Sequence, residues 1–428
     1  MSQSVIVYGG NLTPDSALNL ISLDRFSERI SRGKLSVFNS LRKRAAENGI
    51  PVFLVGGPVR DAVLDVPGND LDFVLVGDAL PLAEDLASEL GGKVFLHPRF
   101  GTATIEIDGD CVDLVTARKE SYFSPGSLPE VSASSLEDDL ARRDFPINAM
   151  ALPLTGDFSE VIDPHLGLND IASRTIRTMH PASFVDDPTR MFRAIRYEQR
   201  LGFRIASDTL SNFKDAIAQG YGDAVSGDRW RHEFERLFAE SQAFKMLIRA
   251  IGLGLLSTVH PALVDSRPLA ILAGEDRLSP SDYLAALALP ITITDGEQVI
   301  RRLNLPTDWA RVVRDTIALQ GIASSISQPA IKVSDLCFAL QSFNDGAIAA
   351  FARLSQEPRL AARLSRYLDV WKNVAPVLTG DDLLKMGVTS GLRVGEILRE
   401  LLAARLDGEV SSEDAEKDMV NQIISPES

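Results

Sequence analysis

The chain has 428 residues, 45% hydrophobic and 24% charged. That is the balance of an ordinary soluble globular protein of roughly two to four domains, and it excludes collagen-like, disordered and disulfide-scaffold classes. No apolar run approaches the roughly 20 residues of a bilayer span, and the N-terminus lacks a basic region followed by an apolar core, so a cytoplasmic location and no membrane partner are expected. Cys111 and Cys337 lie far apart, each in an apolar context that suits a small buried residue, so no disulfide or cysteine metal pair is expected. The net charge of −15 argues against a nucleic-acid partner only if it is spread evenly. It is not, because residues 51–150 hold 18 acidic against 7 basic side chains.

Along the chain, helical spacing over 35–48 ends at Gly49, and Pro51 to Val55 reads as a buried strand stopped by Gly56-Gly57. A short helix over 58–64 leads to a second apolar strand over 71–76, preceded by Asp70 and carrying Asp72. A helix over 80–90, strands over 93–96, 102–107 and 111–116, and a helix within 134–144 follow, the last with Ser135 and Asp138 in capping-box spacing. From about residue 166 strand signals fade. Helical patterns then dominate over 186–201, 228–240, 243–256, 309–321, 334–341, 346–371 and 394–405, with joints near 220–227, 278–281 and 374–380. The expected class is α+β, an α/β head followed by an elongated helical neck, body and tail. The expected divisions are a 1–34 extension, a 35–165 head, a 166–240 neck, a 241–375 body and a 376–428 tail.

Several constellations could carry chemistry. Asp70 and Asp72 stand two residues apart, so strand periodicity puts both carboxylates on one face and Leu71 in the core. Such a pair is either a solvated turn or a seat for a hard cation such as Mg²⁺, with Asp113 available as a third carboxylate. Gly56-Gly57 joins a strand to a helix in a way that admits an anion to backbone N–H groups, with Arg60 able to clamp a phosphate and Asp61 to orient an arginine; a plain tight turn is the alternative. Arg142, Arg143, Asp144 and Asn148 form either an ion-paired helix end or a set of groups for triphosphate and ribose oxygens. In the run from Asp186 to Arg204, Arg190, Arg193, Arg196 and Arg200 fall within roughly 120° at 100° per residue, opposite Met191, Ala194 and Ile195. An arginine stripe without lysine, preceded by Asp186 and Asp187, points to bidentate recognition rather than a merely solvated face. The five histidines are scattered with no HxH or HExxH, so no histidine metal site is expected, and no Walker A or GxSxG motif is present.

VGGPVRD with DLDFVLVGDA, RRDFPINAMAL, DPHLGLNDIASRTIR, DDPTRMFRAIRYEQRLGF and GDRWRHEFERLF occur in an order and spacing that resembles the class II tRNA nucleotidyltransferases, the CCA-adding enzymes grouped with bacterial poly(A) polymerases. The resemblance implies a DNA polymerase beta-like head and an enzyme that adds C, A or both from CTP and ATP to the 3′ end of tRNA. It implies Asp70 and Asp72 as Mg²⁺ ligands with Asp113 a third catalytic carboxylate, and Gly56, Gly57, Arg60 and Asp61 around the triphosphate. Arg142, Arg143, Asp144 and Asn148 would then hold sugar and phosphates, Asp187 and Arg190 would form a protein template for the base, and Arg193 and Arg196 would support it. A carboxylate accepting from an exocyclic amine beside a donating guanidinium fits C and A, whereas uracil O4 and guanine O6 would meet Asp187 acceptor to acceptor.

The chain departs from the pattern in reading Asp186-Asp187 where the family usually has Glu-Asp, and in an acidic loop between Arg118 and Arg142 where a basic one is usual. A poly(A) polymerase is the alternative within the same chemistry, and a non-catalytic RNA-binding protein the alternative outside it. No protein partner and no His-Asp phosphohydrolase domain are implied. Gly391 to Gly395, opening a helix, is either a phosphate contact or only a helix start.

Overall fold

A computed structural model describes residues 20–68, 71–121, 129–275 and 277–424. The chain divides into two compact units, one ending at Arg229 and the other beginning at Trp230. The first unit opens with β1 (Leu20–Ser22), α1 (Leu23–Ser27), α2 (Arg32–Asn48), β2 (Val52–Val55), α3 (Gly57–Val63) and β3 (Asp72–Leu75). It continues with α4 (Ala79–Leu90), β4 (Lys93–His97), β5 (Thr102–Ile107), β6 (Asp110–Thr116), β7 (Arg118–Ser121), β8 (Glu130–Ala133), α5 (Leu136–Ala141), β9 (Ala151–Pro153) and β10 (Phe158–Glu160).

β2 to β6 and β9 build a six-stranded sheet in the order β4-β5-β6-β3-β2-β9. Only β3 and β6 within it run parallel, because α4, β4 and β5 provide the crossover that a parallel pair needs. Alternation sets the two faces. Phe73 points toward Phe38 of α2, ring centroids 6.4 Å apart, and Phe38, Leu41, Phe73, Leu86 and Ile105 are fully buried. Val74 points the other way, into a cluster with Val55, Leu136, Leu140 and Ala151 under α5. Burying side chains of this size contributes about 2–3 kcal/mol each before chain entropy is charged against it.

Residues 20–34, expected to be an extension, are part of this packing: β1 pairs antiparallel with β10, Leu23 and Phe26 are buried, and Phe26 lies 5.6 Å from Phe38. Cys111 departs from expectation. The periodicity of β6 turns Val112 and Leu114 inward and leaves Cys111 on the opposite face, exposed, while Cys337 is buried and both thiols are free.

α6 (Gly167–Ala172), β11 (Thr175–Ile176), α7 (Ser183–Asp186), α8 (Arg190–Leu201), β12 (Arg204–Ile205), α9 (Ser207–Ala218) and α10 (Gly227–Phe238) follow. β11 and β12 form a two-residue parallel pair where no strand was expected. The helix expected over 186–201 is interrupted: Pro188 disfavours a helical Asp187, which sits extended at φ −138° and ends α7.

The second unit begins within α10, from Trp230, and continues with α11 (Ala243–Gly252), α12 (Arg267–Ile271), α13 (Pro280–Ala288), α14 (Ile293–Leu303), α15 (Thr307–Ile326), α16 (Val333–Leu340), α17 (Asp345–Leu354), α18 (Pro358–Asp369), α19 (Gly380–Lys385), α20 (Leu392–Leu406) and α21 (Glu413–Ile424). The pattern over 346–371 thus resolves into two helices, because Pro358 opens α18 and cannot continue α17. Leu383, Ile397, Leu401 and Val420 close a separate core for the last three helices. The fully buried Glu416 there accepts from the N–H groups of Val377 and Leu378 and pairs with Arg405. Among the described residues no helix is long and apolar enough to cross a membrane.

Candidate active site

The carboxylates come first. Asp72 on β3 and Asp113 on β6 are register partners across the parallel pair. By alternation both share the face of Val74 and Val115, the side covered by α5, while Leu71 is buried at 3% exposure as its position predicts. Thr104, opposite Asp113 on β5, donates to Asp113 Oδ1 at 2.6 Å. Asp70 lies outside the described residues. Among the described residues no group of three or more His, Cys, Asp or Glu stands close enough to hold a metal. Asp72 and Asp113 nevertheless offer adjacent hard oxygen donors of the type a divalent cation takes.

The Gly56-Gly57 turn is built for close packing. Gly56 has φ +75°, which calls for glycine, and a Cβ there would lie 2.8 Å from Nη1 of Arg143, whose side chain would have to shift. Its N–H is already donated to Met150 O at 3.2 Å, which takes it from the anion-binding role open to it in the sequence. Arg60 is 3% exposed. It donates through Nε and Nη2 to Asp61 Oδ1 at 2.9 and 2.7 Å, through Nη1 to Asn148 Oδ1 at 2.6 Å, and its guanidinium lies 5.2 Å from the ring centre of Tyr197. Arg60 therefore ties α3 to two other parts of the site.

Arg142 and Arg143, at the end of α5, are both held by Asp139, whose carboxylate has no exposure. Arg142 reaches it through Nε and Nη2 at 2.9 and 2.7 Å and also donates to Glu120 at 2.8 Å, while Arg143 donates at 3.0 Å. Burial works against the Asp139 charge, but the Arg143 and Arg142 guanidinium groups outweigh it and hold its carboxyl below the usual range. The Ser135 hydroxyl accepts from Asp138 N as its spacing predicts, whereas the Asp138 side chain bonds Ser134 instead of completing the box. Asp144, 6% exposed, accepts at Oδ1 from Phe145 N (2.9 Å) and Asn148 Nδ2 (3.2 Å) and at Oδ2 from Arg193 Nε (2.6 Å). Burial again opposes the charge, and Arg193 overcomes it, so Asp144 also stays below the ordinary aspartate value.

α8 differs from its sequence reading. Arg190 and Arg196 are buried at 6% and 7% exposure, so two of the four stripe arginines are packed into the fold, while Arg193 is half-buried and Arg200 exposed. Arg190 donates to Ser183 Oγ at 2.7 Å and to Arg142 O at 2.9 Å, and Arg193 reaches Asp144 as described. Tyr197 has three arginines around its ring, Arg60, Arg193 and Arg200 at 5.2, 6.0 and 5.9 Å, and meets Phe145 edge-on at 5.7 Å. Asp187 accepts at Oδ1 from Thr189 N (2.9 Å), Thr189 Oγ1 (2.6 Å) and Arg229 Nη2 (2.7 Å).

A continuous set of bonds thus runs Asp61, Arg60, Asn148, Asp144, Arg193, and Arg190 joins α8 to the backbone of Arg142. These links bring together the glycine turn, the arginine pair and the helix after Asp187. Sequence reasoning missed Glu120, Asp139, Tyr197 and Arg229. The spacing of Asp139 to Arg142 and Arg143 could have revealed it, and so could the position of Tyr197 within the stripe; nothing local links Arg229 to Asp187.

Residues 52–177 match the model of the poly A polymerase head domain. The chain is 33% identical over 413 residues to the A-adding tRNA nucleotidyltransferase of Geobacter sulfurreducens, covering 91% of this chain and 47% of the relative, so it spans about half the length of that protein. It is 31% identical over 387 residues to the A-adding tRNA nucleotidyltransferase of Halalkalibacterium halodurans, covering 86% of this chain and 87% of that one. It is 32% identical over 386 residues to the CC-adding tRNA nucleotidyltransferase of Deinococcus radiodurans, covering 89% and 91%. Among solved structures it is similar to the Thermotoga maritima CCA-adding enzyme complexed with tRNA CCA, with TM-score 0.74, 27% identity and coverage of 95% of this chain and 100% of that one. A CCA-adding enzyme in complex with ATP gives TM-score 0.76 at 28% identity, covering 95% and 99%. The fold and the matched head domain define a protein of the poly(A) polymerase-head type. The chain belongs to the tRNA nucleotidyltransferase family.

Proposed function

We propose that this chain transfers nucleotidyl groups from CTP, ATP or both to the 3′ end of tRNA, releasing pyrophosphate. The observation that supports the reading is the bonded path joining the Asp144 and Asn148 segment to α8, since sugar and phosphate contacts and a base-selecting pair must belong to one framework for this reaction. The relatives' names, two A-adding and one CC-adding, and a neighbour solved with tRNA support the substrate class.

In this reading Arg142 and Arg143, preset by Asp139 and Glu120, contact phosphate oxygens, and Asn148 and Asp144 orient the sugar. Arg190 donates to the base and Asp187 accepts from its exocyclic amine, so C and A are satisfied while U and G leave unpaired polar groups at about 1–3 kcal/mol each. Asp70 and Asp72, with Asp113 as third carboxylate, would hold Mg²⁺, which when bound supplies activation of the 3′-hydroxyl and neutralises the leaving pyrophosphate. Arg60 and Asp61 brace the turn beside them. Arg196 supports α8 from within the fold.

Incubating the protein with each NTP and with tRNA ending before CCA, after CC, or with a generic RNA tests the reading. Extension confined to tRNA ends by C or A is expected. Long ATP-only tails on any RNA would establish a poly(A) polymerase instead, and no incorporation at all would leave an RNA-binding protein.

A further inference from the structure

We infer that Arg229 is a specificity-determining positioning residue that selects which oxygen of Asp187 faces the incoming base. This rests on the reading of Asp187 as the base's acceptor. The GDRWRHEFERLF segment enters the family resemblance with no role attached to it, yet its Arg229 donates through Nη2 to Asp187 Oδ1 at 2.7 Å, with both side chains about one fifth exposed. Thr189, itself 6% exposed, adds two donors to the same atom, its N–H at 2.9 Å and its hydroxyl at 2.6 Å.

All three bonds converge on Oδ1. A carboxylate has two oxygens and about four lone-pair directions, and its outer torsion is broad, so without anchors it could present either oxygen in several orientations. With three donors on one oxygen the group is pinned, and Oδ2 is the atom left to accept from an amine. Pro188 contributes by holding Asp187 extended, so backbone and side chain are fixed from opposite ends. A merely structural tie between Arg229 and the start of α8 would not depend on which oxygen is bonded.

The two roles separate by kinetics of single-nucleotide addition to tRNA lacking CCA and tRNA lacking the final A, with each of the four NTPs. Arg229→Ala should raise KM for the accepted nucleotide roughly tenfold and narrow its preference over UTP and GTP by a similar factor, with tRNA affinity unchanged and kcat altered less. Arg229→Lys, which keeps a cationic donor on a shorter side chain, should recover part of the preference. Thr189→Val, which removes one donor to the same oxygen, should move it in the same direction and serves as the test if Arg229→Ala fails to fold. In an Asp187→Ala background Arg229→Ala should change preference no further. A fall in kcat with base preference intact, or effects that multiply in the double variant while Asp187→Ala alone still relaxes preference, overturns the role of Arg229. If Asp187→Ala leaves preference unchanged, the template reading fails and the inference falls with it.

Discussion

Asp144 sits in the middle of the site's bonded path, between Asn148 and Arg193. Asp144→Ala removes a 6%-exposed carboxylate and with it the partners of Phe145 N, Asn148 Nδ2 and Arg193 Nε. Breaking a buried ion pair from one side costs about 3–5 kcal/mol. Arg193 is 33% exposed and can turn partly to water, which places the loss near the lower figure, about 3 kcal/mol. Asp144→Asn keeps an acceptor for Phe145 and Asn148 but sets an amide donor against Arg193 Nε, so about half that loss is expected.

Peptide-resolved hydrogen exchange of the whole protein reads this directly: exchange over residues 136–150 and 190–201 should speed by roughly a hundredfold in Asp144→Ala. The pH dependence follows from the depressed carboxyl. Because the folded pKa lies below the ordinary 3.8, the Asp144 contribution is fully present above that value and is lost as pH falls through the folded pKa. The gap between wild type and Asp144→Asn should therefore be flat from neutrality to about pH 5 and close only in stronger acid. An acceleration below about fivefold, or one equally large over residues 377–424, would refute the claim that Asp144 joins α8 to the head.

Other perturbations separate chemistry from support. Asp72→Ala should abolish nucleotide incorporation while leaving tRNA binding by filter retention within about twofold, and unchanged incorporation would remove Asp72 from the catalytic set. Arg190→Ala should relax base choice more than it weakens tRNA affinity, measured as the ratio of kcat/KM among the four NTPs; the reverse order would assign Arg190 to tRNA or to the fold. Gly56→Ala meets both a positive φ and the Arg143 guanidinium, so a loss on the order of 2 kcal/mol in urea unfolding is expected together with a raised nucleotide KM. Glu416→Ala leaves two backbone N–H groups and Arg405 without their acceptor and should speed exchange in residues 377–424 alone, with catalysis on a minimal acceptor stem unaffected.

Local pattern carried most of the elements, because periodicity, glycine stops and capping residues act within a few residues of where they sit. The strands at 93–97, 102–107 and 110–116 and the short helix after Gly56 follow from it, as does the inward-facing Leu71. So do the order of motifs that places the chain in its family and the acid-base character of the site residues. Local pattern misread α8: a 100° wheel separates charged from apolar positions but cannot tell which charges will be buried, and Asp144, Ser183 and the Arg142 carbonyl, which make burial of the arginines possible, come from elsewhere in the chain. It also read 346–371 as one helix, since the apolar spacing runs on through Pro358 although the backbone cannot. The integration of residues 20–34, the register that sets Asp72 beside Asp113, and the reach of Arg229 to Asp187 across 42 positions depend on which distant segments meet. Hydrogen bonds and ion pairs act over a few ångströms of space whatever the separation along the chain, so these features belong to the folded molecule alone.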